Sequence, residues 1–373
     1  VPRYADLIEK EIVRVFPDGS IHLNMKYFNF HYGLTMTGRH FEKLFDRPRR
    51  LPENKLTDSD RDIAASIQQV TEKIIFNMAE QTRAIVDADS LCLSGGVALN
   101  CAAAGKLLRA GRYEEIFIQP ASSDSGGAVG SALYAHYSLT DQPKSAGQPY
   151  FRIGPAYTWH EVSEFLSSIS VPFTNMAGED LASYLAEQLA RGRIAGLFHG
   201  SMEFGPRALG FRSILADPRH TEMKARINQA VKFREPFRPF APAVIEEKTS
   251  EYFDCDRPSP YMLFNFMVND DRRRELQAIT HIDGTARIQT VNVNDNRLLY
   301  SVLREFERRT GVAVLLNTSF NLRGYPIVRT PHDAFATFIS SGIDVLAMES
   351  CVLDKEKLDT TQFESFKIVP GRD

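Results

Sequence analysis

Two stretches of this chain pass from a short apolar strand through a small-residue loop into a helix, and that alternation constrains the fold more than any other feature. Ser90, Leu91, Cys92 and Leu93 read as a strand ending in Ser94-Gly95-Gly96, with a helical pattern over 98–108 behind it. A second strand at 116–118 runs into the loop 120–127 and a helix over 128–137. Strands alternating with helices pack as α/β layers, and such layers bind ligands where loops leave the strand ends. Upstream, the spacing predicts a helix over 5–16, a turn at Asp18-Gly19 and an extended stretch at 21–30. A long helix follows, in which Ile63, Ile67, Val70, Ile74, Met78 and Ile85 recur at helical spacing behind cap residues at 57–60, a stripe that reads as core. The Pro-, Ser- and Gly-rich stretch at 140–149 reads as a linker. Beyond it, helices are expected over 159–169, 180–191, 298–309 and 331–340, and strands at 194–199 and 312–316. Extended runs are expected at 278–282 and 288–293, a basic loop-rich region reaches 238, and the polar tail after Leu353 is expected to be loosely held.

A length of 373 residues exceeds what one hydrophobic core ordinarily serves, so two domains are expected, 1–145 and 146–373. The formal charge is −3, which leaves no molecule-wide field for nucleic acid. No run of about 18 apolar residues is present to span a bilayer, and the opening residues do not have the pattern of a signal peptide. Cys92, Cys101, Cys255 and Cys351 are far apart without paired metal-ligand spacing, which fits reduced thiols in the cytoplasm. No two of the nine histidines stand three or four apart, and neither a phosphate-binding G-x-x-x-x-G-K-[ST] loop nor a G-x-S-x-G elbow occurs. A helix-borne histidine pair is therefore absent, and a P-loop kinase and an α/β-hydrolase are poor readings.

Three constellations carry chemistry. Ser94, Gly95 and Gly96 end a strand and open a helix, a geometry that aims free amides at a phosphate; a plain tight turn is the other reading. Asp124, in the loop before the next helix, could cap it, orient a ligand or bind a metal. The segment 207–238 holds eight basic residues against three acids, with Arg207, Arg212, Lys232, Arg234 and Arg238 set between Gly, Pro and Phe. Rigid guanidinium groups match phosphate or carboxylate bidentately, so a small-anion pocket is the functional reading. Internal salt bridges and an RNA surface are the others. His281, Asp283 and Arg287, and the run Asn317, Thr318, Ser319 and Asn321, could line the same pocket or form ordinary polar turns.

Five motifs in order, LSGGVALN (93–100), EFGPRALGFRSILADPR (203–219), VKFREPFRPFAPAV (231–244), THIDGTARIQTV (280–291) and LLNTSFN (315–321), resemble the NodU/CmcH-type O-carbamoyltransferases. The resemblance implies the C-terminal half of an actin-like (ASKHA) domain, followed by a YrdC-like α/β domain. It implies ATP and carbamoyl phosphate as co-substrates, a carbamoyl-adenylate intermediate and a hydroxyl acceptor on a small molecule, without nucleic acid or membrane. By the same resemblance Lys232, Arg234, Arg207 and His281 act in catalysis. Arg212, Arg238, Asp283, Arg287, Asn317, Thr318, Ser319 and Asn321 bind the phosphates and their surroundings. Ser94, Gly95, Gly96 and Asn100 cradle the adenylate, and Asp124 ligates a divalent metal, iron or magnesium. The family's usual N-terminal half, with a metal-binding His-x-x-x-His, is not in this sequence, so a separately supplied half or a homo-oligomer is expected. Ser201 and Tyr325 depart from the family pattern. Two other readings remain: tRNA threonylcarbamoylation, and a non-catalytic nucleotide-binding partner.

Overall fold

A computed structural model of the chain describes residues 1–51, 54–140, 142–143 and 151–371. They fall into two compact units, one of residues 1–92 and 106–117, the other of 93–105 and 118–371. The expected boundary at 145/146 lies outside the described residues.

The first unit opens with α1 (Ala5–Glu11), an antiparallel hairpin of β1 (Val13–Val15) and β2 (Ile21–Leu23), and α2 (Arg39–Leu44). Its spine is α3 (Asp58–Ile85), started by a capping box in which Thr57 and Asp60 exchange hydrogen bonds. Ile8, Ile12, Val13, Tyr27, Phe45 and Val70 form its core, with Ile63 and Ile74 packed against it. Ile67, Met78 and Ile85 are exposed. Only part of the apolar stripe is therefore core; the buried face of α3 runs instead through Asp62, Ser66 and Val70. β3 (Ser90–Leu93) and β4 (Glu115–Ile118) form a two-stranded sheet, with α4 (Cys101–Arg109) between them in sequence.

The second unit adds α5 (Asp124–Leu139), α6 (Trp159–Ser168), β5 (Thr174–Asn175), α7 (Gly178–Ala190), β6 (Ala195–Phe198), β7 (Arg212–Ala216), α8 (Met223–Ala230) and β8 (Ala241–Ile245). It continues through α9 (Thr249–Tyr252), β9 (Phe266–Met267), β10 (Thr285–Ala286), β11 (Gln289–Val291), α10 (Arg297–Thr310), β12 (Val314–Ser319), α11 (Pro331–Ile339), β13 (Val345–Met348) and β14 (Cys351–Asp354). Eight strands make one mixed sheet in the order β11-β8-β12-β7-β6-β13-β14-β5. The α/β expectation is met. Every residue of β6, β7, β8 and β13 is buried, as in a sheet covered on both faces.

The pairing directions decide where a site can lie. β7 is antiparallel to β6 and β12, β8 is antiparallel to β12, while β13 parallels β6 and β11 parallels β8. The C-terminal ends of β6, β12 and β13 and the N-terminal ends of β7, β8 and β11 therefore share one sheet edge.

Several expectations change. The helix expected over 5–16 stops at Glu11 and gives way to β1, and the extended stretch at 21–30 is a strand only over Ile21–Leu23. The region before 238 is not all loop, since it holds β7 and α8. Residues 278–282 form no strand; Ile282 is fully exposed at a turn. The tail is tied down: Phe363 is buried, Phe363 and Phe366 pack edge-on to Phe335 at 5.3 and 5.2 Å, and the Lys355 ammonium donates to the carbonyl of Phe338.

Candidate active site

Lys232 follows the last turn of α8, where burial leaves its side chain no solvent. Its Nζ donates to the backbone oxygen of Ser319, to Ser319 Oγ at 3.1 Å, and to Asn321 through its backbone oxygen at 3.2 Å and Oδ1 at 2.8 Å. Burial pulls the Lys232 pKa well below the usual lysine range, and the charge of Arg234 adds to the effect. The chain turns sharply between these two residues, with Phe233 at a φ of 46°. Arg234 is held by Nε to Asn228 Oδ1 at 2.8 Å and lies over the Phe240 ring at 4.9 Å. Asn228 also donates to the carbonyls of Pro236 and Arg238, so one buried amide shapes the whole 231–240 turn. Nothing in composition singled Asn228 out; its place in the last turn before Lys232-Phe-Arg234 was the available signal.

Around this turn, positive charge accumulates. Burial, then the neighbouring Arg287, lowers Arg207 to about 10, and burial, then Arg238 and Arg287, lowers Arg234 to about 10. Arg287 is thus close enough to repel both. The Nε atoms of Arg207 and Arg287 are buried without a partner. The carboxylate that answers Arg234 is Glu235, itself paired with Arg238 at 2.9 Å. Like-charged arginines brought together with unmet donors make a cage that can hold an anion.

Arg212 is placed differently. It is fully buried at the start of β7, and its Nη atoms donate to the carbonyls of Pro155, His199, Gly200 and Phe211 at 2.9–3.1 Å. Its guanidinium stacks 3.6 Å from the Phe198 ring centroid. Glu203 is buried beside it and accepts from the amides of Leu209, Phe211 and Arg212. Burial raises the Glu203 pKa, although those three amides oppose the shift. This pair holds the 203–212 loop in shape. Asn317 has a similar part, donating to Ala208 O and Gln289 Oε1. Thr318 stands half-buried opposite Ile214.

His281 sits at the edge of the cage, and its neighbours fix its tautomer. The Thr285 hydroxyl donates to Asp283 Oδ1 at 2.7 Å and accepts from Asn265 Nδ2 at 3.3 Å. With its proton on Asp283, that hydroxyl can meet His281 Nδ1, 3.1 Å away, only as an acceptor. Nδ1 therefore carries the hydrogen and Nε2 keeps its lone pair. Burial lowers the His281 pKa, Asp283 opposes this, and Arg287 and Lys224 add to the lowering, which favours the neutral ring. For Asp283 burial acts upward, but the Thr285 hydroxyl and amide, with His281, hold it below the usual range. Replacing Thr285 by valine is expected to release the ring into a mixture of tautomers. Long-range nitrogen–proton NMR of labelled histidine reads this directly, and an unchanged Nδ1–H signal would refute the relay.

The glycine loops belong to the same unit. Gly95 has a φ of 90°, and Ser94, Gly95 and Gly96 are exposed, with open space where either glycine would carry a Cβ. Asn100 accepts from the amide of Ala103 at the start of α4. Arg207 Nη2 donates to the Leu99 carbonyl at 3.2 Å. Gly205, at a φ of 131°, packs so closely on the second loop that a Cβ would meet Pro120 O at 3.0 Å. The arginine loop thereby touches both glycine loops. Asp124 is exposed in the first turn of α5, which begins four residues before the expected helix. Among the described residues no three His, Cys, Asp or Glu side chains gather to hold a metal. Asp124 alone does not make a site for the divalent metal that the resemblance implied.

Two family models match the chain, Carbamoyltransferase N-terminus over residues 2–133 and Carbamoyltransferase C-terminus over 186–355. An uncharacterized protein of Synechocystis sp. is 44% identical over 95% of this chain and 62% of its own length. Nodulation protein NolO of Bradyrhizobium diazoefficiens is 42% identical over 78% and 54%, and nodulation protein NolNO of Sinorhizobium fredii 42% over 80% and 45%. The chain thus spans about half the length of the curated relatives it matches. Among solved structures, full-length HypF in the phosphate- and nucleotide-bound form covers 48% of this chain and 22% of its own at 14% identity, with a TM-score of 0.32, too slight to carry an argument.

Proposed function

The chain belongs to the carbamoyltransferase family, and from that premise we propose that its second unit, the YrdC-like part in this reading, makes carbamoyl-adenylate for transfer to a small-molecule hydroxyl. The observation that carries the reading is the cage: burial and the charge of Arg287 lower the pKa of both Arg207 and Arg234, Arg234 adjoins the buried Lys232, and the Nε atoms of Arg207 and Arg287 are left unpartnered. Such a cluster is costly unless an anion answers it.

The chemistry balances as follows. Carbamoyl phosphate yields carbamate when water takes its phosphoryl group as inorganic phosphate. A carbamate oxygen attacks the α-phosphorus of ATP, the bond from that phosphorus to the bridging β-oxygen breaks, and pyrophosphate leaves. Negative charge spreads over the α-phosphate and the leaving group, where pre-placed cations are most effective because they need not reorganise. Lys232, gripped by Ser319 and Asn321, and the cage arginines supply those cations. His281 Nε2 is positioned to accept a proton at the same edge. In the transfer step the acceptor oxygen bonds to the carbamoyl carbon, AMP departs and the hydroxyl proton goes to a base. The glycine loops touched by the arginine loop are the reading's place for that adenylate. No step is routed through a metal.

Incubating the purified chain with ATP, carbamoyl phosphate and labelled pyrophosphate is expected to move label into ATP only when carbamoyl phosphate is present. Binding of ATP without exchange would sink the adenylation reading and leave a nucleotide-binding partner of another chain.

A further inference from the structure

Beside the cage, on the same sheet edge, lies a cavity of about 280 Å³ that the anion chemistry does not use. We propose that it holds the nucleoside of the bound nucleotide, with the base against Trp159 and the ribose at Glu179; this rests on the ATP-dependent reading above. Its walls are the start of α6 at Trp159, the start of α7 through Leu181, and the start of α10 at Leu298. Trp159 is about half exposed, and a capping box between Thr158 and Glu161 fixes the turn that carries it. A rigid indole face between aliphatic side chains suits a flat heterocycle.

The floor is built with strain. Glu349, just after β13, has a φ of 50°, which a residue with a side chain rarely adopts. Its carboxylate accepts from the Gly200 amide at 2.7 Å, and His199 Nδ1 lies 2.9 Å from it. Glu179 on the rim accepts from Ser301 at 3.1 Å and has acceptor capacity left for a vicinal diol. Glu179 and Glu349 stand against Arg297 in the lining, so this cavity has no excess of positive charge and suits the uncharged end of a nucleotide, while the arginine cage suits the charged end.

One residue joins the two. Arg212 donates through its side chain to the carbonyls of His199 and Gly200 on the cavity side, and its own carbonyl accepts from Phe320 in the Asn317–Asn321 run. Only β7 separates β12, which ends at Lys232's partners, from β6, which ends at the cavity floor, a spacing of about 10 Å. An extended nucleotide reaches across that gap.

Trp159 is the only tryptophan in the chain, so its fluorescence reports this cavity alone. Adenosine and ATP are expected to shift or quench its emission, while tripolyphosphate leaves emission unchanged yet competes with ATP in calorimetry. Glu179→Gln is expected to weaken adenosine roughly tenfold and to leave 2′,3′-dideoxyadenosine unaffected. If ATP binds by calorimetry while Trp159 emission stays constant and Trp159→Ala keeps full ATP affinity, the cavity assignment is overturned and the adenylation reading stands. If ATP does not bind but adenosine still quenches, the cavity assignment stands and the adenylation reading falls. Silence toward both overturns both.

Discussion

Lys232→Ala is expected to reduce carbamoyl-phosphate-dependent pyrophosphate exchange by about 10³-fold, a loss of roughly 4 kcal/mol of transition-state stabilisation. The lysine sits where two separate segments meet, and the oxygens of Ser319 and Asn321 that accept from its ammonium favour the charged form against the burial that lowers its pKa. Alanine removes the charge and leaves those oxygens without their donor, which costs about 1–3 kcal/mol of stability of its own. Two readouts separate the effects. Chemical denaturation measures the second, and exchange at saturating ATP, on protein verified as folded, measures the first. A variant that melts earlier but exchanges at near-native rate would show the lysine to be a structural tie. Lys232→Arg sharpens the comparison, because it restores a charge without the compact ammonium that fits between Ser319 and Asn321.

Sequence reading offered Lys232, Ser319 and Asn321, from two distant segments, as residues that could line one pocket. What it could not give is the pairing of β12 with β7 and β8, which brings them together. The long helix was readable because Thr57 and Asp60 sit at cap spacing before a periodic run. β8, β13 and β14 were not, because strands buried on both faces lose the alternation that marks a strand. The tail looked loose because it is polar in composition, yet two aromatic rings at 363 and 366 suffice to dock it on Phe335. His281 and Asp283 stood out in the sequence. Thr285 and Asn265, which set the histidine's tautomer, looked like ordinary turn and loop residues. Side-chain type marks where chemistry can happen, whereas partners and burial decide what each group does.

The two arginines Arg212 and Arg287 put that distinction to a quantitative test. Both came out of the sequence as anion-binding candidates and each has a buried Nε without a partner, yet their charged neighbours differ. Arg212 satisfies four carbonyls and balances the buried carboxylate of Glu203; burial lowers it to about 10, with Glu203 and Glu349 pulling the other way. Arg212→Met is therefore expected to destabilise the second unit by about 3–5 kcal/mol, since four buried carbonyls lose their charged donor and Glu203 loses a neighbouring cation. Arg287 instead repels Arg207 and Arg234. Arg287→Met is expected to leave the denaturation midpoint unchanged or slightly raised at low salt, and to weaken pyrophosphate binding by about tenfold or more. Denaturant unfolding and pyrophosphate calorimetry on both variants read the two predictions independently. If Arg287→Met unfolds the protein as readily as Arg212→Met, the cluster is a structural network and the anion cage loses its foundation. If it binds pyrophosphate as the parent does, the anion lies elsewhere. The predicted pattern, stability lost in one variant and anion affinity in the other, follows only if the unmet donors of the cage exist to meet a ligand.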